Sequence, residues 1–138
     1  MVQVLYNLAG STYKGSNSFD DVNGNDWYNN AVSWASGLGI VTGIGNNLFA
    51  PNTEITREQI AVMLYNYMNV MQTDLPEIRG SATFNDSADI SSYAKEAVNA
   101  MYQYGVLNGK GNNEFVSQGN ANRAEVATMY MNFLEAMK

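Results

Sequence analysis

One stretch of this chain is written twice. Gly39-Ile40-Val41-Thr42-Gly43-Ile44-Gly45-Asn46-Asn47-Leu48-Phe49 aligns with Gly105-Val106-Leu107-Asn108-Gly109-Lys110-Gly111-Asn112-Asn113-Glu114-Phe115 at an offset of 66, and six of the eleven positions are identical. All six are Gly, Asn or Phe, residues that set turns or fill cores. The same offset pairs Trp27 with Tyr93, Ala31-Val32 with Ala97-Val98, Arg57 with Arg123, Ala61 with Ala127 and Met63 with Met129. Phe19-Asp20-Asp21 pairs with Phe84-Asn85-Asp86 at 65, and Leu5-Tyr6-Asn7 with Leu64-Tyr65-Asn66 at 59. A repeat this short cannot bury its apolar face alone, so its copies must stack. The chain is expected to be one domain over 1–138: the tail of a first repeat (1–10), a second repeat (19–70) and a third (84–137).

Each repeat alternates helical stripes with turn signals. Trp27, Ala31, Ala35 and Leu38 form one stripe, with Asp26 as its expected N-cap; Tyr93, Ala97, Met101 and Tyr104 form the matching one, capped by Ser92. Gly39 and Gly105 stand where a left-handed residue ends a helix. Ile40-Val41 and Val106-Leu107 are too short for independent strands, and Gly43, Gly45, Gly109 and Gly111 mark tight turns. A second helix then opens with a capping box, Thr56 with Gln59 and Asn122 with Glu125. Helices near 1–9, 57–70 and 123–136 carry the strongest apolar stripes. The expected fold is all-α: a pseudo-threefold repeat module with a central three-helix bundle, short peripheral helices and few or no short strands. Residues 70 to 83, with Pro76 and Gly80, form a linker.

Composition removes most chemistry. The chain has 138 residues, 46% of them hydrophobic, a net charge of −6, and neither His nor Cys. Imidazole and thiolate metal sites, Ser-His-Asp and Cys-His triads and disulfides are therefore excluded, and no cofactor or metal is expected. Asp21-Val22-Asn23-Gly24-Asn25-Asp26 hints at a calcium loop, but that pattern needs Gly at 26 and an acid at 32. The acidic balance argues against nucleic acid, and no apolar run is long enough for membrane insertion. The opening segment lacks the features of a signal peptide. Its helix begins without a cap, which suggests a chain cut from a longer parent, with targeting information outside this fragment. Paired acids for a glycosidase arise by chance among 13 acidic residues, and no enzyme is expected.

Two of the three Arg, Arg57 and Arg123, fall in the first turn of a helix. A cation there opposes the helix dipole by roughly 0.3–1 kcal/mol. Two readings account for it: a bound carboxylate, which can take a bidentate Arg pair and free backbone N–H groups together, or an internal bridge to an acid such as Asp21 or Glu58. Trp27 and Trp34 can stack on a sugar or pack in the core; the core is the expectation for Trp34. Asp21 and Asp86 either accept sugar hydroxyls or cap the turn before the first helix. Gly43 allows close approach of a ligand or serves only its turn.

The ordered set Phe19-x-Asp21-Val22, Trp27-Tyr28-x-x-Ala31-Val32, Gly39-Ile40-Val41-x-Gly43-x-Gly45, Phe49-x-Pro51 and Ile55-Thr56-Arg57-Glu58 resembles the surface-layer homology (SLH) module of bacterial cell-surface proteins. A looser copy follows: Phe84-x-Asp86, Tyr93, Ala97-Val98, Gly105-Val106-Leu107-x-Gly109-x-Gly111, Phe115 and Asn122-Arg123-Ala124-Glu125. The resemblance implies a secreted, non-catalytic anchor at the cell wall. Its inter-repeat grooves would hold an acidic secondary cell-wall polysaccharide, often bearing a pyruvate ketal. It implies ligand roles for Arg57, Asp21 and Trp27, then Arg123, Asp86 and Tyr93, with Thr56 and Gly43 beside them. The third repeat departs from the pattern at Ser87, Tyr93, Ser117 and Asn122, and the truncated first repeat leaves at least one groove incomplete. The alternative is a protein–protein or self-assembly module contacting other surface-protein copies. On this reading Arg57→Ala weakens wall binding with folding intact, whereas Trp27→Ala loses both.

Overall fold

The computed structural model describes all of the chain except residues 1, 18, 42–46, 51–54, 82, 110, 112, 122 and 138 and the side chains of Val4 and Arg123. Gly43, Gly45, Asn122 with its capping box, and the role of Arg123 lie outside the described residues. Among the described residues five α-helices follow in order: α1 (Val2–Leu8), α2 (Asn29–Gly37), α3 (Arg57–Val70), α4 (Lys95–Gln103) and α5 (Arg123–Ala136). Two 3-10 turns, Ser87–Asp89 and Ser92–Ala94, precede α4. The fold is all-α. Among the described residues, extended pairing amounts to one antiparallel bridge between Thr56 and Asn120.

The chain divides into two compact units, Met1–Thr53 and Glu54–Lys138. The division falls inside the second sequence repeat, not in the 70–83 linker. Each unit therefore begins with the last helix of one repeat and continues with the front half of the next. In the first, α1 packs on α2, and Tyr6 meets Trp34 edge-on with centroids 5.7 Å apart. Its core gathers Val2, Leu5, Ala31, Val32, Ala35 and Ile40. In the second, α3 packs on α4, and Tyr67 meets Phe133 of α5 at 5.9 Å. Ile60, Leu64, Met101, Leu107, Phe115 and Phe133 are fully buried there.

Helix ends repeat as the sequence does. Gly39 and Gly105 adopt φ 77 and 79. The following N–H reaches back five residues, Ile40 to Ala35 and Val106 to Met101, each at 2.9 Å, and both apolar residues are buried. This is the Schellman arrangement, which satisfies carbonyls the helix leaves free. Helix starts differ from expectation. The carboxylate of Asp26 accepts from Asn23 N–H at 2.8 Å and so closes its own turn; α2 begins later, at Asn29, with Tyr28 as an N-cap that offers no side-chain bond. Ser92 opens a 3-10 turn, and α4 starts only at Lys95. The Thr56–Gln59 capping box is present in both directions.

Candidate functional site

Asp21 and Asp86 act as clasps. Each places one carboxylate oxygen on each of two successive backbone N–H groups. Asp21 takes Phe49 at 2.8 Å and Ala50 at 2.7 Å; Asp86 takes Phe115 and Val116, both at 2.8 Å. Ala50 and Val116 both sit at φ 61, a left-handed conformation that costs an L-residue about 1–2 kcal/mol. The clasp holds that strained corner shut. Beside it the phenyl rings pair, Phe19 with Phe49 at 5.5 Å and Phe84 with Phe115 at 5.4 Å. The turn that these aspartates cap is thus some 30 residues downstream, not the one before the first helix. Bonds from Phe49 lead in drawing the Asp21 carboxyl below its ordinary range. For Asp86 burial pushes upward, but the Phe115 and Val116 N–H groups and the Arg57 charge outweigh it, and the net direction is also down.

Arg57 is almost completely buried, with 4% of its surface exposed. Nε donates to Phe115 O at 2.7 Å, Nη2 to Asn108 O at 2.6 Å and Nη1 to Glu125 Oε2 at 2.8 Å, while the guanidinium lies 4.9 Å over the Phe115 ring. The dipole penalty at the start of α3 is offset from within, as the internal-bridge reading requires, but the acid is Glu125 rather than Asp21 or Glu58. The backbone donors of the same turn are also engaged: Arg57 N–H on Gly119 O, Glu58 N–H on Ser117 O and Gln59 N–H on the Thr56 hydroxyl. A carboxylate ligand at Arg57 would have to displace these partners. Thr56 serves the capping box.

Trp27 and Tyr93 stand apart from all this. They occupy matched positions and remain 77% and 64% exposed. Trp27 lies before α2 rather than on it, so it shares no helix face with Trp34, which is buried as expected. Its ring rests edge-on against Tyr28 at 5.2 Å. Glu58, a carboxylate only 1% exposed, accepts from Gln118 Nε2 at 2.7 Å and Ser91 N–H at 3.2 Å. Burial and then Glu58 push the Tyr93 phenol upward.

Sequence reasoning named Glu125 only as a capping-box residue and Glu58 only as a possible bridge to Arg57, so it missed the Arg57–Glu125 pair and the Gln118 and Ser91 partners of Glu58, and it missed Arg79. The last of these donates to Tyr102 O at 2.6 Å and to Leu107 O, and lies 3.7 Å over the Tyr102 ring. It thereby puts a cation at the C-terminal end of α4, where the dipole favours one. The available signal was the single Arg within a Pro/Gly linker.

The clasped Phe-x-Asp corner, its matched left-handed residues and the exposed aromatic ahead of each peripheral helix define a module built from one unit used twice. The S-layer homology domain family matches residues 18–61 and 83–127, and the chain belongs to it. It is a cell-wall anchoring module of bacterial surface proteins. Similar proteins include an amylopullulanase of Thermoanaerobacterium thermosulfurigenes, 37% identical over 135 residues, and the exoglucanase XynX of Acetivibrio thermocellus, 36% identical over 135 residues. Both alignments take in 98% of this chain but only 7% and 12% of the two enzymes' lengths. The S-layer protein EA1 of Bacillus anthracis is 25% identical over 112 residues, 81% of this chain and 12% of that protein. Among the described residues no helix is long and apolar enough to cross a membrane.

Proposed function

We propose that this chain anchors a surface protein by binding an acidic, pyruvylated secondary cell-wall polysaccharide, non-covalently and without catalysis, with Trp27 and Tyr93 as stacking platforms. The observation that carries this reading is their matched exposure, 77% and 64%. Both would gain by leaving water, since burying a large aromatic is worth on the order of 2–3 kcal/mol. A flat exposed ring, such as Trp27 held edge-on against Tyr28, suits the apolar face of a sugar. Relatives named as two different enzymes and an S-layer protein share this segment, which supports a transferable attachment role.

The test is a titration of the chain with purified wall polysaccharide. Trp27→Ala and Tyr93→Ala are each expected to lower affinity about tenfold or more with an unchanged thermal midpoint. Removal of pyruvate is expected to weaken binding further. If both variants bind as the parent does, stacking is not the mode of attachment. Concentration-dependent association without glycan would favour the self-assembly reading instead.

A further inference from the structure

The chain contains two Asn-Gly steps, Asn23-Gly24 and Asn108-Gly109. At such a step no Cβ on the second residue screens its nitrogen, which can attack the carboxamide carbon of the Asn. Closing that ring turns the bond between the Asn Cα and its carbonyl carbon, and the Asn carbonyl and the Gly nitrogen swing together. Whatever grips the Asn carbonyl therefore sets how freely the step reacts.

The two steps are gripped differently. The Asn108 carbonyl accepts from Arg57 Nη2 at 2.6 Å, and the neighbouring Leu107 carbonyl accepts from Arg79. Leu107 is fully buried, and Arg57 nearly so. A Cβ on Gly109 would stand 2.9 Å from Glu114 O, so this backbone is packed as well as bonded. Turning it breaks a charge-assisted bond shielded from water. Asn23-Gly24 lies instead in an exposed turn before α2. The Asn23 carbonyl accepts from Asp26 N–H at 3.0 Å, a neutral bond that water can replace. Among the described residues neither the Asn23 carboxamide nor the Gly24 N–H has a partner, and nothing lies within 4 Å of a Cβ built on Gly24. The third repeat has no equivalent step: at the offsets of 65 and 66 Asn23 falls on Ala88 and Asp89.

We infer that Asn23 is a site of spontaneous deamidation, which loads the turn ahead of Trp27 with a new carboxylate and loosens the hold on an acidic polymer. The Gly24 nitrogen bonds to Asn23 Cγ, the Cγ–Nδ2 bond breaks, and ammonia leaves with the proton that Gly24 gives up. Water then opens the cyclic imide at either carbonyl, leaving aspartate or isoaspartate at position 23. The turn already carries Asp20, Asp21 and Asp26, and a fourth charge acts over a screening length of roughly 10 Å at 0.1 M salt. Isoaspartate also adds one carbon to the backbone between the two bonds that close the turn, Asn23 N–H to Asp26 Oδ2 at 2.8 Å and Asp26 N–H to Asn23 O. The effect on attachment rests on the reading that Trp27 holds acidic wall glycan; the covalent step does not.

The experiment ages the full chain in mildly alkaline buffer and follows both steps by peptide mass spectrometry, folded and in denaturant. In denaturant the two should convert at similar rates. In the folded chain Asn23 should convert about tenfold faster than Asn108 or more, because only Asn108 must first be opened. Gly24→Ala should slow conversion at 23 about tenfold with an unchanged thermal midpoint, since the added methyl meets no neighbour and position 24 is not left-handed. Asn23→Asp, titrated with purified wall polysaccharide, should bind about threefold more weakly than the parent at low salt and approach it at high salt. Equal folded rates at 23 and 108, or the same ratio folded and unfolded, overturn the modification site. Parent-like binding by Asn23→Asp overturns its effect on attachment. A parent chain that ignores the polysaccharide overturns the glycan reading, while the rate comparison still decides the chemistry at Asn23.

Discussion

At the scale of single residues, the chemistry of Arg57 and of the two clasp aspartates is structural. Arg57→Ala removes one partner of a mostly buried ion pair and two carbonyl bonds, leaving Glu125 and two oxygens to be resolvated. Breaking such a pair from one side costs about 3 kcal/mol, and a chemical melt should show that loss whether or not glycan is present. The variant therefore confounds any loss of binding with loss of stability, whereas exposed Trp27 does not; charge at a helix start does not reveal who answers it. The clasps carry a pH signature. Asp21 and Asp86 are held below their ordinary value of 3.8 in the folded chain. Their contribution is complete above that value and is lost as pH falls through the lower folded values. Melting temperature should therefore hold from neutrality to about pH 4 and drop below it. Asp86→Asn should lie under the parent at neutral pH and converge with it in acid. A constant gap across the series would remove the clasp from the account.

At the scale of elements, what was legible was periodicity and punctuation. The helices expected near 1–9, 57–70 and 123–136 occupy Val2–Leu8, Arg57–Val70 and Arg123–Ala136, and the Gly39 and Gly105 stops hold. The starts of α2 and α4 were not legible, because Asp26 and Ser92 have local turns open to them that compete with capping. Nor was the end of α3. Gln72 takes φ 54, and Thr73 N–H reaches Met68 O at 3.0 Å, the same closure that Gly39 and Gly105 provide. Gln72 is exposed, so its side chain offers little to offset left-handed strain. Gln72→Gly should raise unfolding free energy by about 0.5–1 kcal/mol after allowing for the added freedom of the unfolded chain. The midpoint in denaturant would rise at constant slope. The partners in the candidate site were the least legible part: Arg57 with Glu125 spans 68 residues and Glu58 with Gln118 spans 60, and no periodicity reports which side chains such distances bring together.

At the scale of the whole molecule, the unit of sequence and the unit of folding are out of phase. The written repeat runs from Phe84 to the end of α5, yet its front half packs on α3, which belongs to the repeat before. Arg57, Glu58, Ile60 and Leu64 of α3 all enter the core or polar network of residues 84–125. Likewise α1 supplies Val2, Leu5 and Tyr6 to the front half of the second repeat. Such an offset makes each repeat dependent on its predecessor, as in stacked-repeat proteins where interface terms exceed the stability of a single copy. A consequence can be checked with two fragments. Residues 54–138 keep α3 with everything it packs on in the second unit, and should unfold in one cooperative transition by circular dichroism. Residues 84–138 are the third repeat as the sequence writes it. They lack α3 and leave Met101, Val106, Leu107 and Phe115 without part of their cover, all four of which are fully buried in the intact chain. That fragment should show no cooperative transition. Exposing even a part of that surface costs several kcal/mol at about 25 cal/mol per Å², comparable with the whole stability of a domain this small. If 84–138 melted as sharply as 54–138, the packing of α3 on the following repeat would be incidental, and the written repeat would be the folding unit after all.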